Sequence, residues 1–264
     1  MLLAIDAGNT NIVFALFDGE KIKASWRLAT QAARTADEYA VFLRALMAGS
    51  GIDPRAVKAA IIASVVPEAD AHLAALCRDH FRCEPLIVGV PGCDAGIKIL
   101  LDRPGEIGAD RIVNAVAGAA SHKPPLLIVD FGTATTFDVV DAEGNYAGGV
   151  IAPGINLSLE ALHMAAAKLP RIVIVPTARV IGKNTEEAIQ SGIYWGYAGL
   201  IEGMIARIKK EFGKPMTVIA TGGLARLFAD AVDGIDRFDA DLTLRGLYRI
   251  YERNIGSSSR KVAG

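Results

Sequence analysis

The sequence has little of what marks a nucleic-acid-binding or membrane protein. Its 28 Lys and Arg residues nearly balance its 29 Asp and Glu residues, for a formal charge of −1, and the basic residues are scattered. No apolar run approaches the roughly 20 residues of a membrane-spanning helix. Polar residues interrupt the apolar N-terminal stretch at Asp6, Asn9 and Asn11, which excludes the core of a signal peptide. We therefore expect a cytoplasmic protein with a small-molecule ligand and with no nucleic-acid or membrane partner.

Cysteine and histidine are also scarce, and their spacing does not match a metal site. The three cysteines form no C-x-x-C pair and the four histidines form no H-x-x-x-H pair. We expect the cysteines to be reduced, small apolar residues and the histidines to be surface or helix-capping residues. They are Cys77, Cys83, Cys93, His72, His80, His122 and His163.

What the sequence does contain is a polar turn near its start. Residues 2–5 and 12–17 are apolar and predict the two strands of a hairpin. This first turn, residues 6–11, reads DAGNTN: its glycine would let a ligand approach the backbone, and its amide and hydroxyl side chains can donate to phosphate oxygens. A carboxylate beside such donors suits a magnesium-bound nucleotide, but an ordinary polar hairpin turn explains this stretch equally well.

A second turn repeats the first. Residues 130–136 read DFGTATT and again separate two apolar runs, residues 126–129 and 137–140. The repetition favours a ligand-binding role for both turns. It also predicts an α/β chain of two similar halves, residues 1–107 and 108–264, each with three strands followed by a helix.

Hydrophobic spacing predicts the remaining elements. In the first half they are a strand at 21–28, a helix at 36–48, a strand at 57–66, a helix at 68–81 and a strand at 86–88. In the second half they are a strand at 146–151, helices at 155–167 and 185–212, a strand at 217–220, and helices at 224–231 and 242–251.

A four-residue segment, Gly108–Arg111, opens a further helix that is predicted to run to about Ser121. An acid is favoured at the positive N-terminus of a helix, and Asp110 lies there. An arginine is not favoured there, so we expect Arg111 to serve an anionic ligand group.

Glycines mark two more places of close approach. The pairs at 148–149 and 222–223 lie at strand ends; the second fits a surface for a purine ring and ribose, whereas a glycine bulge explains the first equally well.

Four glycines also share one face of the helix at 185–212, at a cost of roughly 1 kcal/mol each relative to alanine. A sheet, a neighbouring helix or a second subunit could pack against that face, which consists of Gly192, Gly196, Gly199 and Gly203.

In this order, DAGNTN, GADR, DFGTATTFD, GGVIAPG and TGG resemble the motifs of type III pantothenate kinases, in the superfamily of actin-like ATPases and sugar kinases. The resemblance extends from residue 2 to about residue 251. It implies two ribonuclease H-like halves with ATP bound in the cleft between them. It further implies phosphorylation of pantothenate, the first step toward coenzyme A, by a homodimer that uses Mg²⁺ and either K⁺ or NH₄⁺.

The resemblance also implies roles for particular residues. Asp110 would be the general base, Asp130 would bind the monovalent cation, and Asp6 would act on magnesium indirectly. Pantothenate would contact Gly108, Ala109, Asp110, Arg111 and Thr185. The phosphates of ATP would contact Asp6, Ala7, Gly8, Asn9, Thr10, Asn11, Ile12, Val13 and Thr133.

The sequence departs from the family at residues 101–104, where Leu-Asp-Arg-Pro replaces the usual Tyr-Asp-Asn-Pro. A tyrosine contact to the substrate is lost or supplied elsewhere, which affects substrate affinity and not the reaction type.

Two other functions fit the same fold. A sugar kinase would share the ATP turns without a reason for GADR, and a non-catalytic transcriptional accessory protein would tolerate loss of Asp110 and Asp130. The presence of both acids favours the enzyme.

Overall fold

The computed structural model describes residues 1–165, 170–229 and 231–261, with side chains described as far as residue 256. It contains two mixed β-sheets and six α-helices in these residues. The strands are β1 (Leu2–Ala7), β2 (Asn11–Asp18), β3 (Lys21–Ala29), β4 (Ala59–Ser64), β5 (Pro85–Ile87), β6 (Leu126–Phe131), β7 (Ala134–Val140), β8 (Tyr146–Pro153), β9 (Thr217–Thr221) and β10 (Arg237–Phe238). The helices are α1 (Ala36–Gly49), α2 (Pro67–Ala75), α3 (Ala109–Ser121), α4 (Ile155–Ala165), α5 (Thr185–Phe212) and α6 (Leu242–Lys261).

The two sheets have the same strand order, which confirms the predicted fold class of paired α/β halves. The first is β3-β2-β1-β4-β5 and the second is β8-β7-β6-β9-β10. In each sheet the first three strands form an antiparallel meander, and the last two run parallel to the central strand. The central strands β1 and β6 are almost continuously apolar because each is buried on both faces.

Alternation along β1 assigns each side chain to one of two apolar clusters. Leu3 and Ile5 are buried with residues of α1 and α2. Leu2 and Ala4 are buried on the other face, with residues of α3 and α6. Since successive strand residues point to opposite faces, Asp6 lies on the α3 face.

The chain divides into two compact units at positions that differ from the predicted boundary between residues 107 and 108. The first unit is residues 1–120 with Leu242 onward, and the second is residues 121–241. Helix α3 and helix α6 belong to the first unit because their apolar residues, such as Val113 and Leu247, complete its second cluster. This packing links residues far apart in sequence, so local pattern did not indicate it.

The predicted strands and helices are present, with three differences in extent. The helix expected at 68–81 is α2 as far as Ala75, followed by a π-helical turn at Leu76–His80. The helix at 224–231 is a 3₁₀ turn at Ala225–Phe228, and α6 continues ten residues beyond the expected end at 251, to Lys261. The last two residues of the helix expected at 155–167, and residue 230, lie outside the described residues. All three cysteines are free, as expected. No helix in the described part of the chain is both long and apolar enough to cross a membrane.

The glycine face of α5 does not pack on the chain's own sheet. The buried side of α5 carries Ser191, Tyr194, Ala198, Ile201, Ile205 and Ile208. A Cβ added at Gly192, Gly196 or Gly199 would meet no described atom within 4 Å, and at Gly203 it would meet the Arg207 side chain. The expectation that the sheet of the same chain accounts for these glycines is therefore wrong, because the sheet contacts the opposite side of the helix.

Candidate active site

The first turn is a tight connection between β1 and β2. The last strand pair is Ala7 with Ile12, and the Gly8 N–H donates to the Asn11 carbonyl at 3.0 Å. Asn9 and Thr10 are exposed at its tip. The polar residues at the tip of the turn are therefore exposed, which a ligand-binding role would require.

Thr30 holds this turn from the end of β3, and sequence reasoning missed it. Its hydroxyl donates to the Gly8 carbonyl at 2.6 Å, and its backbone N–H donates to the Thr10 carbonyl at 3.0 Å. No sequence pattern marks Thr30, because its contact depends on the pairing of β3 with β2 as far as Asn11 and Ala29.

The GADR segment, Gly108–Arg111, lies at the same edge of the first sheet. The Val65 N–H, just after β4, donates to the Ala7 carbonyl at 3.0 Å. A Cβ at Gly108 would be 3.3 Å from the Val65 Cγ1 atom and 2.6 Å from the Asp110 Oδ1 atom. The first turn and the predicted substrate segment thus both adjoin Val65, and Ala109 of that segment is buried in the cluster on the sheet face toward which Asp6 points.

Asp110 has the properties of a proton acceptor. Its carboxylate is partly buried, and burial raises its pKa above the ordinary value of 3.8. The N–H of Arg111, which donates to Oδ1 at 2.8 Å, and the charge of Arg111 oppose that increase. A carboxylate whose pKa moves toward neutrality is a better general base at physiological pH than an exposed aspartate.

The loop that precedes GADR is fastened to helix α6. Asp94 forms an ion pair with the Arg253 Nε atom at 2.7 Å. The Asp94 N–H donates to Asn254 Oδ1 and the Asn254 Nδ2 atom donates to the Asp94 carbonyl, both at 3.0 Å. At the departure from the family motif, Leu101 is partly buried, and Arg103 pairs with Glu106 at 2.8 Å on the surface.

The second turn has hydrogen bonds similar to those of the first, in a loop one residue shorter. The Gly132 N–H donates to the Ala134 carbonyl at 3.1 Å, and the Gly154 N–H donates to the Thr133 carbonyl at 3.1 Å. Gly154 has no room for a side chain, because an added Cβ would collide with the Thr133 carbonyl and lie 2.7 Å from the Gly132 carbonyl. Thr133 itself is exposed.

Asp130, the residue before the last in β6, lies between two residues with hydroxyl groups. It pairs with Thr136 on β7 and Thr221 on β9, so the three side chains form a row on one face of three neighbouring strands. Its Oδ1 atom would be 2.5 Å from a Cβ at Gly222, whose φ of +94° also favours glycine. The row supplies the oxygen atoms that a hard cation prefers.

The buried carboxylate of Asp138 accepts a hydrogen bond from one member of this row, Thr136. The Thr136 hydroxyl donates to Asp138 Oδ2 and the Tyr146 hydroxyl donates to Asp138 Oδ1, both at 2.8 Å. Asp138 is fully buried. Within residues 1–165, 170–229 and 231–261, no group of three His, Cys, Asp or Glu side chains could hold a metal ion.

Thr185 is exposed at the start of α5, in the second unit. The N-cap before it is Asn184, whose Oδ1 accepts from the Glu187 N–H at 2.9 Å. Nearby residues of α5 contact the segment 173–182: Gln190 donates to the Val173 carbonyl at 3.0 Å and Ser191 donates to the Val180 carbonyl.

The predicted site residues divide between the two units. The first unit holds the first turn and GADR, and the second holds Asp130, Thr133 and Thr185.

The fold is similar to that of known proteins. A Campylobacter jejuni protein described as a Baf family transcriptional activator has a TM-score of 0.61 at 19% identity, over 96% of this chain and 99% of that chain. An identity this low establishes the fold alone.

Sequence comparison identifies the family. The model of the type III pantothenate kinase family matches residues 2–207. The type III pantothenate kinase of Paramagnetospirillum magneticum is 62% identical over 254 residues, 96% of this chain and 98% of the relative. That of Rhodospirillum rubrum is 60% identical, over 96% of this chain and 99% of the relative. The chain belongs to the type III pantothenate kinase family.

Proposed function

We propose that this protein transfers the γ-phosphoryl group of ATP to the primary hydroxyl of pantothenate, which gives 4′-phosphopantothenate in the first step of coenzyme A biosynthesis. The observation that carries the proposal is that the first turn and GADR both adjoin Val65 at one sheet edge, in a chain whose relatives at 52–62% identity are type III pantothenate kinases. The family match favours this function over a sugar kinase or a transcriptional accessory protein. We expect the reaction to take place in the cytoplasm.

We assign the binding of ATP to the two turns. In the first, residues 6–13 would hold the ATP phosphates through backbone N–H groups and the side chains of the exposed tip. In the second, Thr133 would add a phosphate contact from an exposed position. Phosphoryl transfer depends mainly on positioning and charge neutralisation, so these donors are suitable parts.

Two cations complete the proposal. Asp6 suits Mg²⁺, which is commonly held by one or two carboxylates together with the substrate phosphates. Asp130 suits K⁺ or NH₄⁺, because its carboxylate lies against Gly222, where no side chain competes, and beside the hydroxyl-bearing Thr136 and Thr221. When bound, the cations would neutralise charge on the phosphates.

We assign the binding and deprotonation of pantothenate to the GADR segment. Asp110 would take the proton of the primary hydroxyl as that oxygen forms a bond to the γ-phosphorus atom. The bond from that phosphorus to the β,γ-bridging oxygen breaks, and ADP leaves. Arg111 would pair with the pantothenate carboxylate, for which its planar guanidinium is well shaped, while Gly108 and Ala109 would contact the substrate. Thr185 would make a further contact.

The function is tested by a coupled ADP-release assay with and without pantothenate, in potassium and in sodium. We expect release that depends on pantothenate and is faster in potassium, with 4′-phosphopantothenate identified by mass spectrometry. N-acetylglucosamine and glucose serve as control acceptors. Phosphorylation of a sugar and not of pantothenate would overturn the proposal in favour of the sugar kinase, and no turnover with any acceptor would favour the accessory protein.

We further propose that the protein is a homodimer whose interface includes the glycine face of α5. The glycines at 192, 196 and 199 are exposed, although each lowers the stability of the helix. Apolar side chains are exposed on the segment 173–182, which contacts the same helix; they include Val173, Val180 and Ile181. A second copy packed here would account for both features, and it would place Thr185 near the interface.

The variant Gly196→Leu tests the dimer. A leucine has open space in the single chain, so we expect a folded monomer with a raised KM for pantothenate. Gly49→Leu is the matched control, because Gly49 also lies in a helix with open space around it, in the first unit. Sedimentation analysis and thermal unfolding report the outcome. A monomeric wild type, or a Gly196→Leu protein that remains dimeric, would contradict this interface.

A further inference from the structure

Thr30 fixes the orientation of a peptide group at the centre of the first turn. Its hydroxyl donates to the Gly8 carbonyl at 2.6 Å. In a trans peptide, the C=O of one residue and the N–H of the next lie in one plane and point in opposite directions. The Asn9 N–H therefore points away from Thr30.

The second hydrogen bond of Thr30 prevents the turn from tilting as a whole. The Thr30 N–H donates to the Thr10 carbonyl at 3.0 Å, so one residue holds carbonyls on both sides of Asn9. The hydroxyl bond is the part that depends on the residue type, since any residue except proline offers the N–H. Thr30 is outside every motif that identified the family.

We propose that Thr30 is a positioning residue for the nucleotide: its hydroxyl turns the Gly8–Asn9 peptide so that the Asn9 N–H is directed at a phosphate oxygen of ATP. Thr30 itself touches the turn and not the ligand. This inference rests on the proposed function of the first turn.

The test compares three variants by steady-state kinetics and by calorimetric titration with ATP. Thr30→Val keeps the shape of the side chain and removes the hydroxyl. We expect it to raise the KM for MgATP and the Kd for ATP by roughly 3- to 10-fold, the usual effect of one hydrogen bond, and to leave the KM for pantothenate unchanged. Thr30→Ser retains the hydroxyl and should restore values near those of the wild type.

Thr35→Val is the matched control. The Thr35 hydroxyl accepts from the Glu38 N–H at 3.3 Å and caps α1, so its removal should lower the melting temperature without changing the KM for MgATP. This control separates a loss of stability from a loss of nucleotide positioning.

The outcomes separate this inference from the proposed function. A Thr30→Val protein with wild-type affinity for ATP would overturn the inference, as would an equal rise in both KM values that serine does not reverse. If the wild type binds ATP but does not phosphorylate pantothenate, the proposed function fails, and the Kd for ATP still decides the role of Thr30. If the wild type does not bind ATP, both are overturned.

Discussion

The two polar turns have matching backbone hydrogen bonds, but the residue that follows the third strand stabilises each turn in a different way. In each, a glycine N–H closes the turn: Gly8 donates to Asn11 at 3.0 Å and Gly132 donates to Ala134 at 3.1 Å. In each, the residue just after the third strand donates its N–H to a turn carbonyl. That residue is Thr30 in the first unit and Gly154 in the second.

The difference lies in the side chain of that residue. Thr30 adds a hydroxyl bond to Gly8, whereas Gly154 packs so closely on the Thr133 carbonyl that a Cβ does not fit. The first turn therefore depends on the presence of a side chain and the second on the absence of one. Similar backbone hydrogen bonds can therefore form with or without a side chain at this position. The role of a residue in one half does not give the role of the residue at the equivalent position in the other half.

The largest expected effect concerns the acceptor chemistry, which we assign to the first unit. Asp110→Asn should lower kcat by roughly two to four orders of magnitude, the usual contribution of a positioned general base, while ATP affinity is retained. Single-turnover kinetics and ATP titration measure the two quantities. Asp102→Asn, an exposed acid in the preceding loop, is the control. Near wild-type turnover of Asp110→Asn would remove this residue from the mechanism.

Next in size is the effect of adding a methyl group to the second turn. Gly154→Ala forces a Cβ into the Thr133 and Gly132 carbonyls, and overpacking of this kind costs about 1–3 kcal/mol. We expect a lower midpoint of urea unfolding for this variant. Gly223→Ala is the control, since a Cβ there meets no described atom within 4 Å. Equal midpoints for the two variants would show that the second turn can shift to admit a side chain.

A smaller effect should separate the two turn acids by the ion each serves. Asp130→Asn should raise the potassium concentration for half-maximal activity roughly tenfold, because a neutral amide binds a cation less strongly than a carboxylate does. Asp6→Asn should instead raise the magnesium requirement. Titration of each ion at a saturating concentration of the other provides the measurement. If both variants respond alike to both ions, the turns do not divide the cations between them.

The smallest effect is on stability and concerns pH. Burial raises the pKa of Asp110 in the folded state above its ordinary value of 3.8, so the folded protein holds that proton more tightly than the unfolded chain does. The contribution of Asp110 to the free energy of unfolding therefore falls as pH rises from 3.8 through the folded pKa, and it remains reduced at higher pH. Asp110→Asn should unfold at a slightly higher temperature than the wild type at neutral pH, with the difference vanishing below 3.8. A variant less stable at neutral pH would mean that the hydrogen bond from Arg111 outweighs burial.

The sequence predicted the strands and both turns because these features are local. Acids and glycines that interrupt apolar runs predicted the turns, and their repetition predicted the similarity of the two sheets. Thr30 was not predicted, since a single threonine after a strand carries no pattern, and its contact depends on the path of β3 beside β2. The side of α5 on which its glycines lie also required the structure, because spacing shows that residues share a face without showing what the face contacts.

Helix α6 has a consequence for the order in which the chain folds during synthesis. Leu244, Leu247 and Ile250 close one side of the first unit, yet they are made last, after the whole of the continuous second unit. The first sheet therefore leaves the ribosome with α3 but without α6 on this face, and the face stays incomplete while about 120 further residues are translated, at roughly 5–20 residues per second. We expect the second unit to fold first, reversing the usual N-terminal-first order, and a nascent chain that ends before residue 242 to depend on chaperones.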